Sequence, residues 1–161
     1  MHDLLVKLYE LPSLTAALDA TSARGIAVRR VLAPETPVVL DWVQSNFSTS
    51  TAEVGIACCR SPISCFIAVR DRQIRGFACH DVTARNFFGP EGVAEQDRGH
   101  GIGRALLLAA LHAQREQGYA YAIIGGVGPA EFYAKCVGAI PIPGSTPGIY
   151  AGMLRPKPPA N

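Results

Sequence analysis

Three glycines at alternate positions, Gly99, Gly101 and Gly103, form the most chemically suggestive stretch of the sequence. They follow a short apolar segment and a polar turn, and an apolar run of helical character begins among them. Glycines leave backbone N–H groups uncovered, and the first turn of a following helix adds unpaired donors and the positive end of its dipole. This succession of strand, loop and helix predicts a site that binds anions, above all phosphates.

Two common phosphate loops do not fit this spacing. A dinucleotide-binding fingerprint requires the pattern GxGxxG, whereas the register here is GxGxG and Ala105 follows. A nucleotide P-loop requires GxxxxGK followed by Ser or Thr, and no Lys-Ser or Lys-Thr pair follows the glycines.

The segment from Arg98 to Gly103 (RGHGIG) resembles the acyl-CoA loop of the GNAT superfamily of N-acyltransferases, whose pattern is Arg or Gln, any two residues, Gly, any residue, then Gly or Ala. Phe132 and Tyr133 resemble the Phe-Tyr pair in a later helix of the family, and the resemblance covers roughly residues 26 to 154. The chain departs from the family pattern near that helix. Four residues rather than three separate Tyr133 from Gly138, and Gly126 stands near the position of a common asparagine.

The resemblance implies acetyl-CoA as the cosubstrate. Backbone amides of the loop would hold the pyrophosphate, and the strand before it would pair with the pantetheine arm. The expected contacts are Gly92, Val93, Ala94, Arg98, Gly99, His100, Gly101, Ile102, Gly103, Arg104 and Tyr133. Three alternating glycines favour close approach of a ligand over a simple helix cap. For His100 we expect at most a phosphate contact and no catalytic role.

The implied reaction moves an acetyl group to a primary amine by direct attack in a ternary complex. Tyr133 would protonate the leaving thiolate; its alternative is a core aromatic residue with a hydrogen-bonded hydroxyl. Glu91 would face the same side of its strand as Val93 and act as the general base; its alternative is a solvated turn carboxylate. His80 and Asp81 are weaker candidates for the base.

The acceptor pocket is expected between two distinctive segments, residues 86–92 and 141–150, with Phe88 and Tyr150 in its lining. The sequence does not identify the acceptor. A second hypothesis is a non-catalytic acyl-CoA-binding or interaction module, and a third is a binder of nucleotide phosphates.

The strands and helices expected around these residues indicate an α/β (α+β) fold. Its central sheet is mixed and mostly antiparallel, with six or seven strands flanked by helices, and splays between the strand ending near Ala94 and the strand starting near Tyr119. Alternating apolar runs predict a hairpin at residues 65–81, and helical spacing predicts helices after Ser13, after Pro34, at 51–60, at 102–117 and at 130–137. Residues 4–11 suit either a strand or a first helical turn, and residues 148–154 are expected to form a final strand.

The composition limits the class of protein. The 161 residues, 48% of them hydrophobic, suit a single domain, with residues 1–25 as an extension packed on it and 156–161 as a tail. The net charge of +2 and the scattered basic residues argue against nucleic acid as a partner, and no long apolar stretch predicts a membrane span. Five cysteines without ligand spacing predict neither a metal site nor a disulfide framework. We expect a cytoplasmic protein that could pair as a homodimer.

Overall fold

The computed structural model describes residues 2–126 and 128–154, and its central feature is a mixed sheet of seven strands. The tail expected at residues 156–161 lies outside the described residues. The sheet order is β2-β3-β4-β5-β6-β1-β7, and every neighbouring pair is antiparallel except β5 and β6. The strands are β1 (Leu4–Lys7), β2 (Ala27–Arg30), β3 (Cys65–Arg70), β4 (Gln73–His80), β5 (Phe87–Val93), β6 (Tyr121–Ile124) and β7 (Ile140–Pro141).

Five α-helices accompany the sheet within the described residues: α1 (Leu14–Ser22), α2 (Thr36–Asn46), α3 (Thr51–Cys58), α4 (Ile102–Glu116) and α5 (Ala130–Val137). Their ends follow local capping chemistry. The Ser13 hydroxyl accepts a hydrogen bond from the Ala16 amide at 3.2 Å and begins α1. Gly138, with φ +65°, ends α5. The predicted fold class is confirmed, including helices on both sides of a mostly antiparallel sheet.

Alternation along the strands divides the core between the two faces of the sheet. On β3, Phe66 and Ala68 belong to one buried cluster, with residues of α1, α4 and α5, whereas Cys65 and Ile67 belong to the other, with residues of α2 and α3. Helix α4 contributes most to the first cluster, because ten of its residues are buried. The core therefore fixes α4, and the loop that precedes it, against the middle of the sheet.

A glycine permits the close approach of α4 to the centre of the sheet. A Cβ atom on Gly76 of β4 would lie 2.8 Å from the carbonyl oxygen of Gly92 and 3.0 Å from Leu106 Cδ1. No side chain fits in that space, so Gly76 lets β4, β5 and α4 pack together. This contact sets the position of α4 relative to β5, the two elements that border the predicted phosphate loop.

The structure differs most from the expected secondary structure in residues 4–11 and 148–154. The segment that suited either a strand or a helical turn contains both, because β1 is followed by a single 3-10 turn at Leu8–Glu10. The final strand expected at residues 148–154 is wrong. Gly148–Tyr150 forms one 3-10 turn, and the positive φ angles of Gly148 and Gly152, +58° and +72°, interrupt any extended run.

Candidate active site

The parallel strands β5 and β6 separate after only two paired residues. Phe87 pairs with Ile123 and Phe88 with Ile124, after which β6 ends while β5 continues to Val93. The other edge of β5 stays paired to β4 through this region. The edge of β5 that faces β6 beyond Phe88 therefore offers backbone groups without a strand partner, which confirms the predicted splay.

The loop before α4 has a conformation that requires glycine. Gly99 and Gly101 have φ angles of +79° and +82°, and a Cβ atom on either would meet nothing within 4 Å. The glycines are thus needed for backbone conformation and leave open space beside the loop. Gly101 occupies the N-cap of α4, where no side chain accepts a hydrogen bond. The first N–H groups of a fifteen-residue helix consequently lack the usual side-chain acceptor.

A cleft of about 670 Å³, here called the glycine-loop cleft, opens between this loop and α5. Nine of the expected cofactor residues line it: Gly92, Val93, Arg98, Gly99, Gly101, Ile102, Gly103, Arg104 and Tyr133. Two lie outside the lining. Ala94 is buried, with its amide donating to the Arg75 carbonyl at 2.9 Å. His100 is exposed, with Nδ1 3.2 Å from the Asp97 carbonyl oxygen.

Four residues that the sequence did not indicate as part of the site also line the cleft: Phe47, Asp97, Pro129 and Phe132. Phe132 was expected only as a member of the Phe-Tyr pair. Asp97 is only 2% exposed and forms ion pairs with Arg70 at 2.8 Å and Arg75 at 3.5 Å. These arginines flank the turn of the β3–β4 hairpin, distant in sequence from the loop. They offset the charge of Asp97, a carboxylate that would otherwise repel an anion in the cleft.

Glu91 and Tyr133 meet at the inner end of the glycine-loop cleft. The Tyr133 hydroxyl donates a hydrogen bond to Glu91 Oε2 at 3.3 Å, while Glu91 Oε1 is out of contact with solvent and has no hydrogen-bond partner among the described residues. The Tyr133 ring is held by edge-to-face contacts with Phe88 and Phe132, whose ring centroids lie 6.2 Å and 5.1 Å away. The two predicted catalytic residues are thus in direct contact.

The surroundings shift the acidity of both groups. Burial raises the pKa of the Glu91 carboxyl to about 8, although the hydrogen bond from Tyr133 opposes this shift. Burial and the neighbouring charge of Glu91 raise the pKa of Tyr133 above its usual value. The pair therefore combines a carboxylate that gains a proton near neutral pH with a phenol that stays protonated.

A second cleft, of about 1050 Å³, lies on the other side of this pair and is here called the Tyr150 cleft. Glu91 and Tyr133 line both clefts, so the two cavities meet at their hydrogen bond. The two residues expected in an acceptor pocket, Phe88 and Tyr150, are both in its lining. Its walls also come from α3, from the loop after β4 and from the glycine-rich segment after β6.

His80 and Asp81 are not brought to either cleft. They are 1% and 4% exposed, and His80 Nδ1 lies 2.7 Å from Asp81 Oδ2. Asp81 Oδ1 accepts a hydrogen bond from the Asn86 amide at 2.6 Å. The hydrogen bond of Asp81 to the Asn86 amide braces the loop between β4 and β5.

Residues 2–126 and 128–154 contain no cluster of His, Cys, Asp or Glu arranged to hold a metal ion. Nor does this part of the chain include a helix long and apolar enough to cross a membrane.

Comparison with known proteins identifies the fold. No protein-family model and no curated protein sequence matches the chain. Among solved structures, it is similar to the GCN5-related glucosamine N-acetyltransferase region of a fungal multi-domain GH3 beta-N-acetylglucosaminidase, with a TM-score of 0.72 and 15% identity over 88% of this chain. A GCN5-related N-acetyltransferase from Sphaerobacter thermophilus gives a TM-score of 0.64 with 17% identity, and a Drosophila protein gives 0.62 with 12%, each over 88% of this chain.

The chain spans only part of these structures, namely 19% of the fungal protein, 48% of the Sphaerobacter protein and 47% of the Drosophila protein. At such low identities the similarity concerns architecture. The mixed sheet, its splay and the glycine loop before α4 all agree with the resemblance seen in the sequence. The chain has the fold of the GCN5-related N-acetyltransferases.

Proposed function

We propose that this protein transfers an acetyl group from acetyl-CoA to a primary amine, by direct attack within a ternary complex. The observation that carries the proposal is the meeting of two clefts at one hydrogen-bonded pair, Glu91 and Tyr133. A transferase that forms no covalent enzyme intermediate must bind both substrates at once, next to the groups that transfer the proton. This arrangement supplies one cleft for each.

The glycine-loop cleft fits a coenzyme A thioester. The N-terminus of α4 has no side-chain cap, and glycines at 99 and 101 leave room beside the loop, so backbone N–H groups would bind the pyrophosphate with help from the helix dipole. Arg98 and Arg104 line the same cleft and add positive charge. The unpaired edge of β5 would hydrogen-bond the amide groups of the pantetheine arm as a strand would.

The residues at the junction can move the proton that the reaction must transfer. Glu91, once ionised, would accept a proton from the attacking amine nitrogen as the new carbon–nitrogen bond forms. Tyr133 would give its proton to the sulfur as the carbon–sulfur bond breaks, and it would regain one from Glu91 through their hydrogen bond. The proton thus passes from nitrogen to sulfur and both side chains return to their starting state.

The proposal is tested by combining a binding measurement with a turnover measurement. Acetyl-CoA should raise the melting temperature, whereas ATP and NAD should not, because they lack the pantetheine arm that would pair with β5. A broad panel of amines should then yield free CoA, measured by chromatography because the exposed Cys59 would react with thiol reagents.

Tyr133→Phe separates an enzyme from a non-catalytic acyl-CoA-binding module. Loss of the hydroxyl should lower turnover about 100-fold, in line with the contribution of a positioned acid, while the stabilisation by acetyl-CoA stays close to that of the wild type. If acetyl-CoA binds but no amine is acetylated, the binding module is the better description. Stabilisation by ATP or NAD instead of acetyl-CoA would favour a nucleotide binder.

A further inference from the structure

The described lining of the Tyr150 cleft includes acidic but no basic side chains. The acidic residues are Glu53 and Glu91, and no lysine, arginine or histidine is among the described lining residues. Because burial raises the pKa of Glu91 to about 8, Glu53 supplies the negative charge of the wall near neutral pH. The remaining described lining residues are neutral. The charge balance of this cleft differs from that of the glycine-loop cleft, where Arg98 and Arg104 are present.

Glu53 is fixed in the wall of the cleft without a cation. It lies on α3, and its Oε1 accepts a hydrogen bond from the Thr83 hydroxyl at 2.7 Å. This contact joins α3 to the loop between β4 and β5 and holds the carboxylate in place. None of the ion pairs among the described residues includes Glu53.

A third carboxylate adds to the field from behind the cleft. Asp3 is buried, and its Oδ1 accepts a hydrogen bond from the Gly126 amide at 3.4 Å, next to the cleft wall. Burial first, and then the charges of Asp3 and Glu53, raise the pKa of Tyr150. Both carboxylates therefore act on the same hydroxyl in the lining, which stays protonated and neutral.

A positively charged ligand would complement a cleft whose described walls carry Glu53 and no basic side chain. Glu91 lies beside Tyr133, so it would face the amine that reacts, and Oε1 of Glu91 has no hydrogen-bond partner among the described residues. Glu53 is a separate carboxylate on another element. A carboxylate whose position is fixed by a hydrogen bond binds a second ammonium group more favourably than it binds a neutral group.

We propose that the acceptor carries a second cationic group besides the amine that is acetylated, and that Glu53 is the residue that selects for it. The chemical class is a small diamine or polyamine. This inference rests on the proposed function for the identity of the reacting amine, but the cation site itself is independent of turnover.

The test compares α,ω-diaminoalkanes of increasing length with monoamines of the same lengths and with glucosamine, a polyhydroxylated monoamine. At saturating acetyl-CoA, the best diamine should exceed its matched monoamine at least about tenfold in kcat/KM, chiefly through a lower KM. Calorimetric titration of the same diamine into the protein with bound CoA should detect binding. Both effects should weaken as salt is added, because the attraction is electrostatic.

Glu53→Gln removes the charge and retains a hydrogen-bond acceptor for Thr83. It should bring the ratio of diamine to monoamine kcat/KM close to one and weaken calorimetric binding of the diamine. Glu53→Asp should restore part of the ratio. Glu10→Gln is the matched control, since Glu10 is an exposed carboxylate paired with Lys7 and lies outside the cleft lining, so the ratio should persist.

Three results would overturn the inference: equal use of diamines and monoamines, preference for glucosamine over every diamine, or an equal loss for all amines in Glu53→Gln. Failure of Glu53→Gln to fold would leave the salt dependence of the wild-type ratio to decide. If no amine is acetylated, the proposed function fails, and calorimetry then decides the cation site alone: diamine binding that Glu53→Gln leaves unchanged contradicts it.

Discussion

Glu91 is buried in surroundings that disfavour its ionised form. Within residues 2–126 and 128–154, its Oε1 has no hydrogen-bond partner and no contact with solvent, and its Oε2 accepts a hydrogen bond from Tyr133. A carboxylate in such surroundings is less stable than one in water, so its pKa rises to about 8. The folded protein therefore holds a proton on Glu91 that the unfolded chain releases near pH 4.5.

This difference gives a signed prediction for Glu91→Gln. Between pH 4.5 and 8 the folded state binds more protons than the unfolded state, so the wild-type free energy of unfolding falls as the pH rises through that window. Glutamine has no charge to desolvate. The variant should match the wild type near pH 4 and be more stable by about 4 kcal/mol at pH 8, while acetyl transfer is lost.

Urea unfolding at several pH values measures this difference, and Glu10→Gln serves as the control because Glu10 is exposed. A stability difference between Glu91→Gln and wild type that does not change with pH would show that Glu91 is ionised in the folded protein. An active Glu91→Gln variant would remove Glu91 from the proton path.

At the scale of elements, a comparison of the glycines at the two ends of α4 distinguishes a ligand-binding role from the ordinary role of a glycine at a helix end. Gly101 begins α4 with φ +82°, and Gly118 follows its other end with φ +95°; a Cβ on either would meet nothing within 4 Å. An alanine at each position therefore has a similar backbone cost without a clash. Only Gly101 lines the glycine-loop cleft.

We expect Gly101→Ala and Gly118→Ala each to lower the free energy of unfolding by about 1 kcal/mol. Gly101→Ala should also weaken acetyl-CoA binding about tenfold, because its methyl group and altered loop backbone interfere with the pyrophosphate. Calorimetry with acetyl-CoA distinguishes the two variants. Equal affinities in both would mean that the loop does not hold the ligand.

At the scale of the whole molecule, β1 lies between β6 and β7 near one edge of the sheet and joins these two strands. Val6 is 0% exposed and pairs with Ala122 on β6, while Leu4 and Leu5 also pair with β7. We predict that Val6→Ala lowers the free energy of unfolding by about 2 kcal/mol. Val38→Ala, on the exposed face of α2, should change it by less than about 0.5 kcal/mol. Similar losses in the two variants by urea unfolding would contradict the contribution of the buried Val6 side chain to the core.

Local patterns predicted most of the elements because their causes are local. Helix α5 begins at Ala130 and ends before Gly138 as the sequence suggests, and the glycine loop follows from spacing alone. The contact between Glu91 and Tyr133 could be expected only through a family resemblance, since the two residues are far apart in the chain. Sequence patterns place each of the two residues on its own strand or helix, but they contain no information about the distance between that strand and that helix.

The parts that could not be predicted depend on tertiary pairing. A four-residue strand such as β1 carries no information about its neighbours, and its place between β6 and β7 is decided by packing. In the sequence, Glu53 has no feature that distinguishes it from other polar helix residues. Its hydrogen bond with Thr83, from the loop after β4, exists only in the folded structure. The walls of the Tyr150 cleft come from several distant segments, so no single stretch of sequence indicates the acceptor.

The position of β1 also affects the order in which the protein can be completed during translation. Leu4 leaves the ribosome early but pairs with Ile124 and Pro141, which are synthesised much later. Each of the strands β3 to β5 can pair with the strand before it as soon as it has been synthesised. Strand β1 has no partner at that stage, so its apolar side chains remain exposed. Asp3, immediately before β1, can reach the Gly126 amide only after Gly126 has been synthesised, so this wall of the Tyr150 cleft forms after strands β2 to β5 have paired.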